Sequence, residues 1–165
     1  MINKIITWDF DGTLSDNHDG SLNIYKETAQ ENLKLTISLG YDVRIVTRRF
    51  DETNNHKGLK NEHIPVINMA KKLGVDYSNI YFTNRAWKYE TVQKIGSSLH
   101  IDDDELDISW IQRHAPEINT VLVGSENWQE KLLKHIEQDI KENQKLTLLD
   151  RVKNFFKKNT TFLKK

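Results

Sequence analysis

Asp9, Asp11 and Asp16 fall within eight residues of one another, directly behind a short apolar run, in the stretch ITWDFDGTLSD (residues 6–16). Carboxylates this close repel unless a cation sits among them or one of them keeps its proton. Either state is useful, because one group can attack as a nucleophile while its neighbour donates and then accepts a proton. Gly12 lets the backbone turn sharply or approach a ligand closely. The same residues also suit an ordinary acidic turn, since Asp-Gly is a common turn pair. This segment alone does not decide between the two.

A second acidic group bears on the choice. His100-Ile101-Asp102-Asp103-Asp104 also follows an apolar run. Carboxylates meeting from two strand ends make an oxygen-rich site suited to a hard cation such as Mg²⁺. Negative charge at a helix N-terminus explains Asp104 and Glu105 well, and Asp102 less easily. Phosphate chemistry would need positive and hydroxyl donors besides. Thr47 ends an apolar run, and Lys88 opens a short helical pattern, so both can reach the same edge. Arg48 and Arg49 are placed to grip a second phosphate or a base edge, or to serve as plain surface charge. Trp8 reads as core. Arg85, Trp87 and Tyr89 suit either a substrate wall or packing. His56 and His63 lack metal-ligand spacing and read as surface residues, and Asp16 as a turn residue. His18 lies in the loop that follows, with contact to substrate as the less favoured alternative to a plain loop residue. Asp107 is expected on a helix surface.

These residues need a scaffold, and the periodicity supplies one. Strands are expected at 4–8, 42–47, 79–83, 98–101 and 120–123. Helices are expected at 22–39, 65–73, 88–95 and 105–114, and from Trp128 onward, with Gly40 and Gly74 as stops. Residues 48–62 read as a loop. Strands alternating with helices imply crossovers and a parallel sheet covered on both faces, here a Rossmann-like three-layer α/β/α sandwich of five strands. In such sheets ligands bind beyond the carboxyl ends of the strands. Asp9–Asp16, Thr47–Arg49, Thr83–Lys88 and Asp102–Asp104 all fall there. The expected division is a catalytic core over 1–125 and a C-terminal helical extension over 126–165.

At 165 residues, 37% hydrophobic and 29% charged, the chain reads as soluble and globular. It has no cysteine, which excludes disulfides and thiolate metal sites. The apolar stretch in MINKIITWDF is too short for a signal peptide, and a cytoplasmic location is expected. The 24 basic and 24 acidic residues cancel, so overall charge points to no polyanion partner. The segment 151–165 nevertheless carries six basic residues and no acidic one. Leu149, Val152, Phe155 and Phe156 share a helical face there, with Arg151, Lys153, Lys157 and Lys158 around it. Docking on the body or homo-oligomer formation is favoured over contact with nucleic acid or an anionic surface.

The set Asp9-Phe10-Asp11-Gly12-Thr13, Thr47, Lys88 and Asp102-Asp103 resembles the four ordered motifs of the haloacid dehalogenase-like (HAD) phosphohydrolase superfamily, over about residues 3 to 123. The spacing from Lys88 to Asp102 is most similar to compact members such as the 5′(3′)-deoxyribonucleotidases and the phosphatase domain of polynucleotide kinases. The resemblance implies that Asp9 attacks phosphorus, that Asp11 is the acid and then the base, and that Thr47 and Lys88 hold the phosphoryl group. It implies Mg²⁺ held by Asp9, the Asp11 carbonyl, and Asp102 or Asp103. The intervals between motifs are too short for a large cap. An open site suits a bulky substrate such as a nucleic-acid end, a phosphoprotein or one closed over by another subunit, and a small nucleotide if loops suffice. The expected substrate is a nucleotide or a nucleic-acid phosphate end, with a phosphoprotein or small phosphometabolite as alternatives. A catalytically idle fold that binds a partner through the basic tail is the alternative outside enzymes.

Overall fold

A computed structural model of the protein describes residues 2, 4–53, 61–142 and 146–160. His56 and residues 161–165, and the side chain of Lys158, lie outside the described residues. Five parallel strands, β1 (Ile5–Trp8), β2 (Asp42–Thr47), β3 (Ile80–Phe82), β4 (Ser97–Asp102) and β5 (Asn119–Leu122), form one sheet in the order β3-β2-β1-β4-β5. Helices α1 (Lys26–Leu39), α2 (His63–Leu73), α3 (Lys88–Lys94) and α4 (Glu105–His114) make the crossovers. Helices α5 (Trp128–Glu142) and α6 (Leu146–Thr160) follow the last strand. The chain moves outward from β1 to β3, then returns to place β4 on the other side of β1. The crevice between β1 and β4 is therefore the switch point of the sheet, where ligands of such folds sit.

Alternation along the strands divides the core in two. Ile6, Trp8, Val43, Ile45, Leu99 and Ile101 join a large buried cluster with Leu33 of α1, Val66 of α2, and Leu132, Ile136 and Ile140 of α5. Val46 joins a smaller cluster with Val92 of α3 and Ile111 of α4. Val152 and Phe156 bring α6 into the large cluster, while Arg151, Lys153 and Lys157 face solvent. The apolar face of the basic tail is thus docked on the body. Among the described residues no helix is long and apolar enough to cross a membrane.

The first helix starts later than its apolar pattern suggests, at Lys26 instead of Leu22. Asn23 is the reason. Its side-chain amide donates to the carbonyls of Gly12, Thr13 and Ser15, and its side-chain oxygen accepts from the Tyr25 N–H. An Asn that bonds local backbone this way competes with helix formation. Leu22 and Ile24, counted into the helical period, are left exposed at 69% and 71%. Asn23 also braces the loop that carries Asp9 and Asp11. Helix α2 starts two residues before the expected Pro65, at His63, and the remaining boundaries agree to within one residue.

Helix α5 is tied to the sheet by a buried charge. Asp139 accepts from Lys4 at 2.7 Å and from the Tyr41 hydroxyl at 3.0 Å. Burial and the Asp139 charge together push the Tyr41 hydroxyl well above the ordinary tyrosine range. Asp139→Ala is expected to lower stability by roughly 2–3 kcal/mol, because it strands a buried hydroxyl and leaves Lys4 with Glu142 alone. The shift in the urea midpoint measures this, and a change within error would show that the pair contributes nothing net.

Candidate active site

Backbone ladder bonds extend past the strands and fix the residues that follow them. The Asp9 N–H donates to the Ile101 carbonyl at 2.8 Å, the Thr83 N–H to the Thr47 carbonyl at 2.8 Å, and the Val123 N–H to the Asp102 carbonyl at 2.7 Å. Asp9 on the central strand and Asp102 on its neighbour therefore flank the switch point. Lys88 reaches them from the first turn of α3. Its ammonium lies 2.6 Å from Asp9, 2.7 Å from Asp102 and 3.2 Å from Asp107, with only 4% of its side chain exposed.

One ammonium among several carboxylates produces a characteristic charge pattern. Burial alone would push Lys88 down, but the charges of Asp102, Asp9 and Asp107 outweigh it and hold the lysine well above its ordinary value. Burial lifts Asp9 well above the carboxylate range. Lys88 opposes this, while the charges of Asp102 and Asp103 add to it. Burial acts on Asp102 in the same direction, yet Lys88 and His100 together bring it below the ordinary range. Asp103, with burial and the Asp102 charge against it, is pushed up to about 6. The site holds more negative charge than Lys88 balances.

This surplus is what a cation would relieve. Oxygens of Asp9, Asp102 and Asp103 all lie within 4.8 Å of one another, forming an all-oxygen cluster that could hold a metal. Hard carboxylate donors without nitrogen or sulfur fit Mg²⁺ chemistry. Hydrogen bonds distinguish the two adjacent aspartates. Asp102 accepts from the Asp104 N–H on Oδ1, and from both Lys88 and His100 on Oδ2. Asp103 takes the Thr13 hydroxyl at 3.0 Å on Oδ1, and its Oδ2 lies against Gly12. At Gly12, where φ is +76°, an added Cβ would collide with the Asp103 carboxylate. The glycine thus keeps the first acidic loop closed onto the second.

The expected residues do not all take the expected places. A cavity of about 510 Å³ is lined by Asp9, Asp11, Lys88, Asp102, Asp103 and Arg48, with Arg85 and His18 also on its wall. His18, for which substrate contact is the less favoured alternative in sequence, is therefore a cavity residue. Thr47 sits at the end of β2, fully buried, and its hydroxyl accepts from the Arg49 N–H at 3.3 Å. Arg48 lies over the Trp87 ring at 4.8 Å and donates to the Arg85 carbonyl. Arg49 turns to Asp11 instead of lining the cavity. Asp107, expected on the helix surface, is 1% exposed and faces Lys88. The first turn of α4 leans over the strand ends, so its third residue points inward.

Trp8 is core, as expected, and Asp16 belongs to the turn, paired with Lys26 at 2.7 Å. Trp87 and Tyr89 both stack on Trp110 of α4. His63 is half-buried at the start of α2. His100 has no counterpart in the sequence reading. Fully buried, it links Thr7 at 2.9 Å to Asp102 at 2.9 Å. A carboxylate only accepts, so the imidazole Nε2–H donates to Asp102 and orients it. The available signal was a histidine at an inward position between Leu99 and Ile101, with its role set by a strand ninety residues away.

No protein-family model matches the chain, and no curated protein matches it. Among solved structures, the HAD domain of the effector protein Lem4 from Legionella pneumophila, an inactive mutant, aligns with a TM-score of 0.51 at 18% identity. The alignment covers 92% of this chain and 99% of that one. The fold is HAD-like. Within this HAD-like fold no large inserted cap lies between the motif loops among the described residues, and the cavity opens at the carboxyl edge of the sheet.

Proposed function

We propose that the protein is a Mg²⁺-dependent phosphatase that hydrolyses a phosphomonoester through an aspartyl phosphate on Asp9. The observation behind this reading is that Lys88 bonds Asp9 and Asp102 at 2.6 and 2.7 Å, beside an acidic cluster able to hold a metal. An Asp9 oxygen forms a bond to phosphorus as the bond to the leaving oxygen breaks, and Asp11 gives that oxygen its proton. Water then attacks the same phosphorus, Asp11 takes the water's proton, and Asp9 is released with inorganic phosphate. Lys88 holds Asp9 in place and offsets charge on the transferring group. Asp102, fixed by His100 and the Asp104 N–H, holds Lys88.

Asp9, Asp103 and the Asp11 carbonyl would hold Mg²⁺, with Asp102 as the alternative to Asp103. The ion would supply positive charge to the nucleophile and the phosphoryl oxygens. Positioning and charge neutralisation carry most of such a reaction.

The proposed substrate is a nucleotide or a nucleic-acid phosphate end. Supporting it are the cavity's size, within the usual range for small-molecule sites, and Arg48 and Arg85 among the residues that line it. Hydrolysis of p-nitrophenyl phosphate is expected with Mg²⁺, to be extinguished by EDTA and restored by added Mg²⁺. Full turnover in EDTA would remove the metal from the reading. A panel of 5′- and 3′-mononucleotides, phosphorylated oligonucleotides, sugar phosphates and a phosphopeptide then tests the substrate class. Preference for the phosphopeptide or the sugar phosphates would overturn it.

A further inference from the structure

The proposed proton carrier, Asp11, does not stand alone. Arg49 donates from Nε to Asp11 Oδ1 at 3.2 Å and Oδ2 at 2.9 Å, and from Nη2 to Oδ1 at 2.6 Å. Both carboxylate oxygens are therefore engaged by one planar fork. Arg49 is itself fixed on several sides. Its Nη1 donates to the Glu62 carbonyl at 3.0 Å, its guanidinium lies 4.9 Å from the ring centre of buried Phe10, and its backbone N–H meets Thr47 Oγ1. Glu62 is anchored in turn by Arg85 at 2.6 Å and by the Phe50 N–H. The pair is mostly shielded, with side-chain exposures of 15% and 19%.

A guanidinium held this firmly is poorly placed to follow an incoming phosphate, and well placed to aim a carboxylate. We propose that Arg49 is a positioning residue for Asp11. The fork uses part of the carboxylate's acceptor capacity and so restricts the direction of the rest, where the proton would be carried; Asp11 itself lines the cavity. Lysine would keep the charge and lose the fork, so the two are not interchangeable here. This inference rests on the phosphatase reading and adds to it a residue that acts through Asp11.

Leaving-group dependence separates the roles. A proton donor matters greatly for an alkyl phosphate and little for 2,4-dinitrophenyl phosphate, whose phenolate leaves unaided. Full-length protein carrying Arg49→Lys or Arg49→Gln is compared with the parent on both esters, with circular dichroism to verify folding. The expected result is that kcat for the alkyl ester falls more than kcat for the activated one, widening their ratio roughly tenfold or more, as loss of well-placed acid catalysis does. KM should change less than the alkyl-ester kcat, and Arg49→Lys should add no further loss in an Asp11→Asn background.

Equal losses on both esters would overturn the assignment, as would a common rise in KM with kcat retained, the signature of a phosphate grip. So would additive losses in the double variant. If the parent hydrolyses neither ester, the phosphatase reading fails and takes this inference with it. The parent assay thus distinguishes the two failures.

Discussion

Asp9→Asn is expected to lose phosphatase turnover by a factor on the order of 10⁴ or more, since the amide cannot act as the nucleophile. Acid quenching of the parent with labelled substrate should trap an acyl phosphate that the variant lacks. Retention of turnover within tenfold of the parent would place the nucleophile elsewhere. The same change should leave the metal-free protein as stable as the parent or more so at pH 7. Asp9 is held well above the carboxylate range, chiefly by burial, with the Asp102 and Asp103 charges adding to it. A group whose folded pKa is raised costs the folded state stability wherever the unfolded carboxylate is ionised. A neutral side chain of the same shape removes that cost. Activity and stability should therefore separate, and a large loss of melting temperature in EDTA would contradict this account of the charge.

Lys88→Met should do the opposite and lose both. Methionine preserves the length of the side chain, but Asp9, Asp102 and Asp107 then face one another with no cation among them. Removing one partner of a buried ion pair costs about 3–5 kcal/mol. The folded pKa of Lys88 is raised, so its contribution is complete at pH 7 and is lost only as pH climbs through that raised value. In the variant Asp9 and Asp102 lose the lysine charge that opposes their burial, and part of the lost stability should return as pH is lowered and they take up protons. Urea unfolding of parent and variant at pH 7 and pH 5 tests this. Equal stability at both pH values would mean that Lys88 is not the cation that holds the cluster together.

Much of the scaffold was readable without coordinates because its signals are local. Five strands and the helices between them follow from apolar runs, helical periodicity and the stops at Gly40 and Gly74. The rule that ligands sit at the carboxyl ends of parallel strands selected Asp9, Thr47, Lys88 and Asp102. The pattern misled at Leu22 and Ile24, where apolar residues match a helical period but Asn23 commits its side chain to the neighbouring loop. It also misled at Asp107, which periodicity alone assigns to either face of α4. Strand order, and with it the switch point between β1 and β4, is not encoded in any single segment.

The sequence by itself determined which chemical groups stand at the sheet's carboxyl edge, since strand and helix periods fix where each run ends. Only the tertiary structure decided how those groups divide the work. Adjacent in sequence, Asp102 and Asp103 differ because one meets Lys88 and His100 and the other meets Thr13 and Gly12. Arg49 and Arg48, equally adjacent, part company because one finds Asp11 and the other finds Trp87. Apart from His100, which shares β4 with Asp102, these partners come from other elements than the residues they meet. Charge and hydrogen bonding act over a few ångströms of space, so the fold must close before they can assign a role.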